Sequence, residues 1–183
     1  MSGHSKWAQI KHKKAITDAK RGQLFSKFAR LITIAAKEGG ADPKNNSKLA
    51  AVILEARNVN MPNDNIERAL KRASEKSEAE LKEVIYEAFG PGGSALIITA
   101  VTNNSNRTTN EIKHALSEHD GKLGVAGSAM WAFEKNGNEF VSKFPTKLSE
   151  LDSKKFETLL EALDNLEDVN EVYSNADLGE TQS

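Results

Sequence analysis

The first half of the chain carries apolar residues at the three- and four-residue spacing of amphipathic helices. This spacing runs from Ala15 to Gly39-Gly40, a glycine pair that ends the first predicted helix. A second helix is predicted over 44–58, and the MPND segment at 61–64 supplies start signals for a third. Three short amphipathic helices can bury one shared face, so we predict a three-helix domain.

In the second half, the apolar pattern changes to the alternating or continuous runs that are typical of strands. Strands are predicted at 84–89 and 95–101, and Gly90-Pro91-Gly92-Gly93 joins them as a hairpin loop. The remaining predicted elements are a helix over 104–119, strands over 128–134 and 139–144 with a turn at Asn136-Gly137, a helix over 152–166 and a strand over 169–173. From residue 95 onward this is the βαββαβ order of a ferredoxin-like fold.

We therefore predict an α+β protein, in which an N-terminal three-helix domain precedes a ferredoxin-like (split βαβ) domain with an extra leading strand. The polar, acidic segment SEKSEAELKE at 74–83 separates the two patterns. We place the boundary there. We expect a basic helical domain with an N-terminal arm over 1–78 and an acidic α+β domain over 79–183.

Net charge differs sharply between these two parts. The whole chain has 25 Lys/Arg and 26 Asp/Glu, a balance that hides the distribution. Residues 1–76 hold 16 Lys/Arg and 7 Asp/Glu, a net of +9, whereas residues 77–183 have a net of −10. This asymmetry is typical of a polyanion-binding module joined to an acidic one. Two halves that attract each other, or a solvated basic helix, would give the same pattern.

Positive charge is densest at the start of the chain. The first 37 residues contain nine Lys/Arg against Asp18 alone. Such a cluster gives salt-dependent affinity for phosphates, and Arg21 and Arg30 can hold a phosphate with two hydrogen bonds. Trp7 either stacks on an exposed base or anchors the arm to the helices. The residues expected to contact nucleic acid are Lys6, Trp7, Lys11, His12, Lys13, Lys14, Lys20, Arg21, Lys27 and Arg30.

The sequence offers no pattern that supports catalysis or a cofactor. Cysteine is absent, which excludes disulfide scaffolds, thiolate metal sites and cysteine nucleophiles. His114 and His119 diverge on a helix, and no nucleophile is paired with a base at a recognisable spacing. We predict a non-enzymatic protein with no catalytic residues, metal, cofactor or small-molecule substrate. No apolar run is long enough to span a membrane and no signal peptide is visible, so we expect a cytoplasmic location.

Long segments of the chain resemble the YebC family. The opening GHSKWAQIKHKKAITDAKRGQLFSKFARLI is similar to the start of family members, and the likeness continues in NVNMPNDNIERALKRA, YEAFGPGGSALI, NNSNRTTNEIKHAL, GSAMWAFEKNG and LLEALDNLEDVNEVYSNAD. This family includes the PmpR-type bacterial regulators and the mitochondrial translational activator of cytochrome oxidase subunit one. The resemblance implies a helical N-terminal domain followed by α+β domains. It also implies DNA binding in transcription, or action on ribosomes as a translation factor that relieves stalled synthesis.

The chain departs from the family's pattern at residues 137–138. Family members carry a third domain inserted after the strand that ends in the equivalent of WAFEKNG. Here Asn136-Gly137 runs almost directly into NEFVSKFPTKLSELD. The resemblance therefore implies that the inserted domain is missing near 137–138 and that a tight turn joins its flanks.

Our leading interpretation is a ribosome-associated translation factor or translational activator that binds ribosomal RNA through its basic arm. The alternative is a sequence-specific DNA-binding transcriptional regulator of the YebC type that binds promoter DNA. A second alternative is a protein-interaction module. An arm with one aromatic residue and many lysines suits structured RNA at least as well as a duplex groove, which puts translation first on mechanism.

Overall fold

The computed structural model describes residues 17–76 and 80–179, and these form five α-helices and eight β-strands. They divide into two compact units. The helical unit contains α1 (Asp18–Gly39), α2 (Ser47–Asn58) and α3 (Asn63–Ser74). All three predicted helices are confirmed, although α1 and α2 begin three residues later than the sequence pattern indicates.

Apolar side chains at helical spacing hold α1, α2 and α3 together. Ile32 of α1 and Leu49 of α2 are completely buried, and Ile66 of α3 is 4% exposed. Burying one such side chain stabilises a fold by about 1.5–3 kcal/mol. The shared core therefore leaves the polar faces of all three helices on the outside of the unit, where their charged residues lie.

A buried asparagine fixes the turn between α1 and α2. Asn46 is the N-cap of α2, and its side-chain oxygen accepts a hydrogen bond from the Leu49 N–H at 3.1 Å. Its Nδ2 donates to the carbonyl oxygens of Ala35 and Gly40, each at 2.8 Å. One side chain thus satisfies backbone groups at the end of α1 and at the start of α2.

The α+β unit is built on a four-stranded sheet with the order β3-β1-β2-β7. Its strands are β1 (Lys82–Phe89), β2 (Ala95–Thr102), β3 (Lys122–Leu123) and β7 (Val169–Ser174). β1 pairs antiparallel with β3, and β2 pairs antiparallel with β7, with Ile98 opposite Val172. The glycine-rich segment between β1 and β2 is a short loop containing a 3₁₀ turn at Pro91–Gly93, so the predicted connection is confirmed.

Strand β2 is buried on both faces of this sheet. Leu96 and Ile98 belong to a core formed with helices α4 (Ser105–Glu118) and α5 (Glu150–Asp164). Ile97 points the other way and belongs to a second cluster. Burial on both faces explains why β2 reads as an unbroken apolar run and not as an alternation.

The second cluster is covered by a separate hairpin of β4 (Phe133–Asn136) and β5 (Glu139–Ser142). Phe140 of this hairpin is 7% exposed, and its ring contacts Tyr173 edge-on at 5.4 Å between centroids. The predicted turn is confirmed: Gly137 adopts φ +61°, a conformation that favours glycine.

The strand predicted over 128–134 is wrong for most of its length. Residues 126–129 form a turn, and Met130–Ala132 is a 3₁₀ turn that leads into β4. The cause is a long-range contact with the carboxylate of Glu87, which is 9% exposed. This carboxylate accepts hydrogen bonds from the backbone N–H groups of Gly127, Ala129 and Met130. These backbone N–H groups, which in a strand would donate to a neighbouring strand, therefore donate to the Glu87 carboxylate.

The α+β class is confirmed, with three N-terminal helices followed by a βαβ-type unit. Strand membership differs in detail from the expectation. The leading strand β1 lies inside the main sheet, and the two-residue β3, which no sequence pattern indicated, takes its edge. A short parallel pair, β6 (Thr146–Lys147) and β8 (Ala176–Asp177), completes the unit.

Candidate nucleic-acid interface

Lys20 and Arg21 lie in the first turn of α1, and both are exposed. Thr17 is the N-cap of this helix, and its hydroxyl oxygen accepts a hydrogen bond from the Lys20 N–H at 3.3 Å. The Arg21 guanidinium lies 3.8 Å from the Asp18 carboxylate, but both side chains are more than half exposed. Such a pair contributes little stability, so a phosphate can compete for Arg21.

Two of the other predicted contacts occupy different surroundings. Lys27 is only 6% exposed, and Arg30 is half-buried. A lysine with so little exposed surface offers less of itself to a phosphate than Lys20 or Arg21 does. The contacts of Lys27 and Arg30 with nucleic acid stay predictions from the sequence.

The remaining predicted contacts belong to the N-terminal arm. Lys6, Trp7, Lys11, His12, Lys13 and Lys14 lie outside the described residues. Their role in binding stays a prediction from the sequence.

Helix α3 adds exposed cations beyond those predicted from charge density at the start of the chain. Arg68 and Arg72 are exposed, lie one turn apart, and line a groove between α1 and α3. Gly22, the residue after Arg21, lines the same groove, and a Cβ added there would meet no atom within 4 Å. The groove is therefore open at Gly22 of α1, and Arg68 and Arg72 line it from α3.

The groove face of α3 also carries Asn65, three residues before Arg68. Arginine holds phosphates with two hydrogen bonds, and in duplex DNA it also contacts guanine edges. Asparagine pairs with adenine in the same way. No carboxylate within residues 17–76 and 80–179 pairs with Arg68 or Arg72. This face therefore carries hydrogen-bond donors both for the phosphates of a nucleic acid and for the edges of its bases.

A sequence signal for the α3 cations does exist. In NIERALKR, the apolar Ile66, Ala69 and Leu70 mark the inward face of a helix, so Arg68 and Arg72 must point outward. Arg68 and Arg72 lie more than forty residues after the basic arm in the sequence, so charge density alone does not select them. Only the packing of α3 on α1 shows that these two arginines line one groove.

The described residues offer neither a metal site nor a membrane-spanning helix. Residues 17–76 and 80–179 contain no group of three or more His, Asp or Glu side chains arranged to hold a metal ion. None of the helices described there is both long and apolar enough to cross a bilayer.

Comparison with known proteins gives consistent matches across most of the chain. The profile of the TACO1/YebC protein N-terminal domain matches residues 5–76, and that of the TACO1/YebC second and third domain matches residues 81–143. A crystal structure of a conserved hypothetical protein from Aquifex aeolicus superimposes with a TM-score of 0.86 at 32% identity, covering 97% of this chain and 99% of that one.

Curated relatives share a common description, "probable transcriptional regulatory protein". The one from Thermoanaerobacter pseudethanolicus is 54% identical over 78% of this chain, and the one from Halothermothrix orenii is 48% identical over 90%. The chain spans only 58% and 63% of the length of these two relatives. A relative from Hydrogenobaculum is 44% identical over 96% of this chain and 71% of its own length. The chain belongs to the TACO1/YebC family.

Proposed function

We propose that this chain is a non-enzymatic regulator of gene expression that binds duplex DNA through the helical unit. The observation that carries the proposal is the groove between α1 and α3, which Arg68 and Arg72 line beside Asn65, while the exposed Arg21 precedes the lining residue Gly22 in the sequence. The names of the curated relatives support transcription as the process. Transcription therefore stands ahead of translation, although the basic arm by itself favours translation.

The arginines contact phosphates in this proposal, and α3 approaches the bases. The acidic α+β unit repels the duplex and so limits the orientations in which the protein binds. The predicted arm over residues 1–14 would add further phosphate contacts. The protein would act in the cytoplasm and without a cofactor, and the inserted third domain of family members is expected to be missing near 137–138.

Salt dependence tests this mechanism directly. If about six phosphates are neutralised, affinity for a 20-base-pair duplex falls about a thousandfold between 50 and 200 mM salt. Replacing both arginines, in Arg68→Ala/Arg72→Ala, removes two contacts and lowers the slope of log affinity against log salt by about 2. Fluorescence anisotropy of a labelled duplex measures both quantities.

A charge-matched control separates local contacts from overall charge. Lys113→Ala/Lys154→Ala removes two exposed cations from helices of the α+β unit and should leave the slope unchanged. If both double variants lower the salt slope equally, the effect comes from net charge and not from contacts at the groove. Binding that does not weaken with salt would contradict the proposal.

The second candidate is the ribosome-associated translation factor. The feature that favours it is the predicted arm, in which Trp7 lies among lysines and could stack on unpaired RNA bases. Sedimentation of lysate through sucrose at two salt concentrations distinguishes the candidates. Salt-sensitive migration with ribosomal particles that Lys11→Ala/Lys13→Ala/Lys14→Ala abolishes would favour translation. Protein that stays at the top of the gradient and still binds duplex DNA would favour transcription.

A further inference from the structure

An exposed pair of aromatic rings lies next to the β4–β5 hairpin of the α+β unit. Trp131 is 58% exposed and Phe144 is 55% exposed. Their ring centroids are 5.8 Å apart, and their planes are tilted by 38°. Large aromatic side chains are usually found in cores and interfaces. An exposed pair of them in contact is therefore typical of a binding surface.

Polar contacts hold both members of this pair in place. The loop fixed by the Glu87 carboxylate leads directly to Trp131, whose Nε1 donates to the Ser128 carbonyl oxygen at 2.8 Å. On the other side, Asn175 is 3% exposed and its Nδ2 donates to the Phe144 carbonyl oxygen at 2.9 Å. The rings are therefore presented by anchored backbone, which lowers the entropy lost when they bind a ligand.

Positive charge accompanies the rings. The Lys143 ammonium lies 6.0 Å from the centroid of the Phe144 ring. Residues 128–147 hold three lysines and two glutamates, a net of +1, within a half of the chain whose net charge is −10. Aromatic faces next to a cation, in a locally non-acidic stretch, are complementary to a nucleic-acid strand with unpaired bases.

We propose that Trp131 and Phe144 form a stacking platform for an unpaired base of single-stranded nucleic acid, with Lys143 contacting the neighbouring phosphate. Rings at 5.8 Å are already in direct contact, so the base stacks on the outer face of the pair and not between the rings. The platform goes beyond the proposed function, on which it rests only for the class of ligand. Through this platform, the α+β unit would contact either single-stranded nucleic acid or the separated strands of an opened duplex.

Tryptophan fluorescence tests the platform because the chain has two tryptophans, Trp7 and Trp131. In the full chain carrying Trp7→Phe, all tryptophan emission comes from Trp131. Addition of a 15-nucleotide oligothymidine should quench this emission, and a 15-base-pair blunt duplex should not. Since stacking on one aromatic side chain contributes about 1–3 kcal/mol, Trp131→Ala or Phe144→Ala should weaken binding of the oligothymidine by about 5- to 150-fold.

A matched control and a second variant complete the test. Leu151→Ala removes another exposed apolar side chain, 64% exposed on α5, and should leave affinity within about twofold. Lys143→Gln should lower the salt slope for the oligothymidine by about 0.7. Circular dichroism verifies that each variant is folded.

The outcomes separate this proposal from the previous one. Quenching by oligothymidine supports the platform even if Arg68→Ala/Arg72→Ala leaves duplex binding unchanged. Absence of quenching, together with unchanged affinity in Trp131→Ala, overturns the platform even if duplex binding behaves as proposed. Equal quenching by the duplex would also overturn it, because a closed blunt duplex offers no unpaired base.

Discussion

The helical unit and the α+β unit differ in the polar groups that they bury and in the charge that they expose. The helical unit buries the neutral Asn46 at its main turn and the cation Lys27, and residues 17–76 hold 12 Lys/Arg against 7 Asp/Glu. The α+β unit buries two acids, Glu87 and Asp168, and residues 80–179 hold 9 Lys/Arg against 17 Asp/Glu. Basic residues therefore outnumber acidic ones in the helical unit, and acidic residues outnumber basic ones in the α+β unit.

Buried acids in the α+β unit accept hydrogen bonds that hold separate segments of it together. The Asp168 side chain is 2% exposed, and its Oδ2 accepts hydrogen bonds from Arg107 Nη2 at 2.8 Å and Thr108 Oγ1 at 2.7 Å. The hydrogen bond and the charge of Asp168 raise the pKa of Arg107. This acid connects the first turn of α4 to the segment before β7, as Glu87 connects β1 to the loop before Trp131. These two acids therefore have structural roles in the α+β unit.

The largest expected effect comes from removing a core ring of the α+β unit. Phe156→Ala should lower the free energy of unfolding by about 3–5 kcal/mol, because Phe156 is 1% exposed and leaves a cavity. Phe144→Ala deletes the same atoms from an exposed site and should change stability by less than about 1 kcal/mol. Urea unfolding followed by Trp131 emission in the Trp7→Phe background measures both. Similar losses would mean that Phe144 is part of the core and not of a binding surface.

The next largest effect tests the turn of the helical unit. Asn46→Ala should cost about 2–3 kcal/mol, because it removes the cap of α2 and leaves the carbonyl groups of Ala35 and Gly40 without their donor. Asn104 caps α4 in the same way but is exposed, so Asn104→Ala should cost about 1 kcal/mol or less. Urea unfolding followed by circular dichroism compares them. An equal cost would show that the extra bonds of Asn46 contribute nothing.

A smaller loss is expected from neutralising a buried acid. Asp168→Asn keeps the shape of the side chain but replaces a charged acceptor, and hydrogen bonds to charged groups contribute about 1.5–3 kcal/mol. Since the Arg107 side chain is 43% exposed, solvent screens the pair and the cost should lie near the lower figure. The free energy of unfolding of the variant, measured in urea, gives the value directly. An unchanged value would mean that Asp168 is not needed to hold α4.

Local patterns predicted the helices well because each helix follows from residues close in sequence. The amphipathic spacing and the stop at Gly39-Gly40 determine α1 without reference to any distant contact. The segment SAMWAFE shows the opposite case. Its alternation is typical of a strand, but the Glu87 carboxylate, about forty residues earlier, holds its N–H groups in a turn. No short-range pattern contains that contact.

The sequence predicted only part of the candidate site, because some of its residues come together through long-range packing. Charge density alone selects Lys20 and Arg21, which are exposed, and equally selects Lys27, which is buried by packing that the charge count does not contain. Arg68 and Arg72 become relevant only when α3 packs beside α1. The exposure of Trp131 was likewise unpredictable, because an aromatic residue in an apolar run is expected to be buried.

The smallest expected effect is a pH dependence from an exposed ion pair on the α+β unit. The Lys155 ammonium lies 2.7 Å from the Asp120 carboxylate, and this hydrogen bond and charge lower the pKa of Asp120. A carboxyl whose pKa is lower in the folded state stabilises the fold at pH values above its ordinary pKa of about 4, and this contribution disappears as the pH falls through the lowered pKa. Asp120→Asn should therefore shift the urea midpoint slightly at neutral pH and not at all in strong acid.

At alkaline pH, the same ion pair has the opposite effect on the pH dependence of stability. Asp120 raises the pKa of Lys155, so the contribution of this lysine is complete below its ordinary pKa of about 10.4 and is lost as the pH rises through the raised value. Glu150→Gln is the matched control, since Glu150 lies 3.6 Å from Lys154 in a looser pair on the same helix and should show a smaller difference. If Asp120→Asn shifts the midpoint equally at neutral and acidic pH, its effect does not come from charge. The exposed pair would then make no charge-dependent contribution to the stability of the α+β unit.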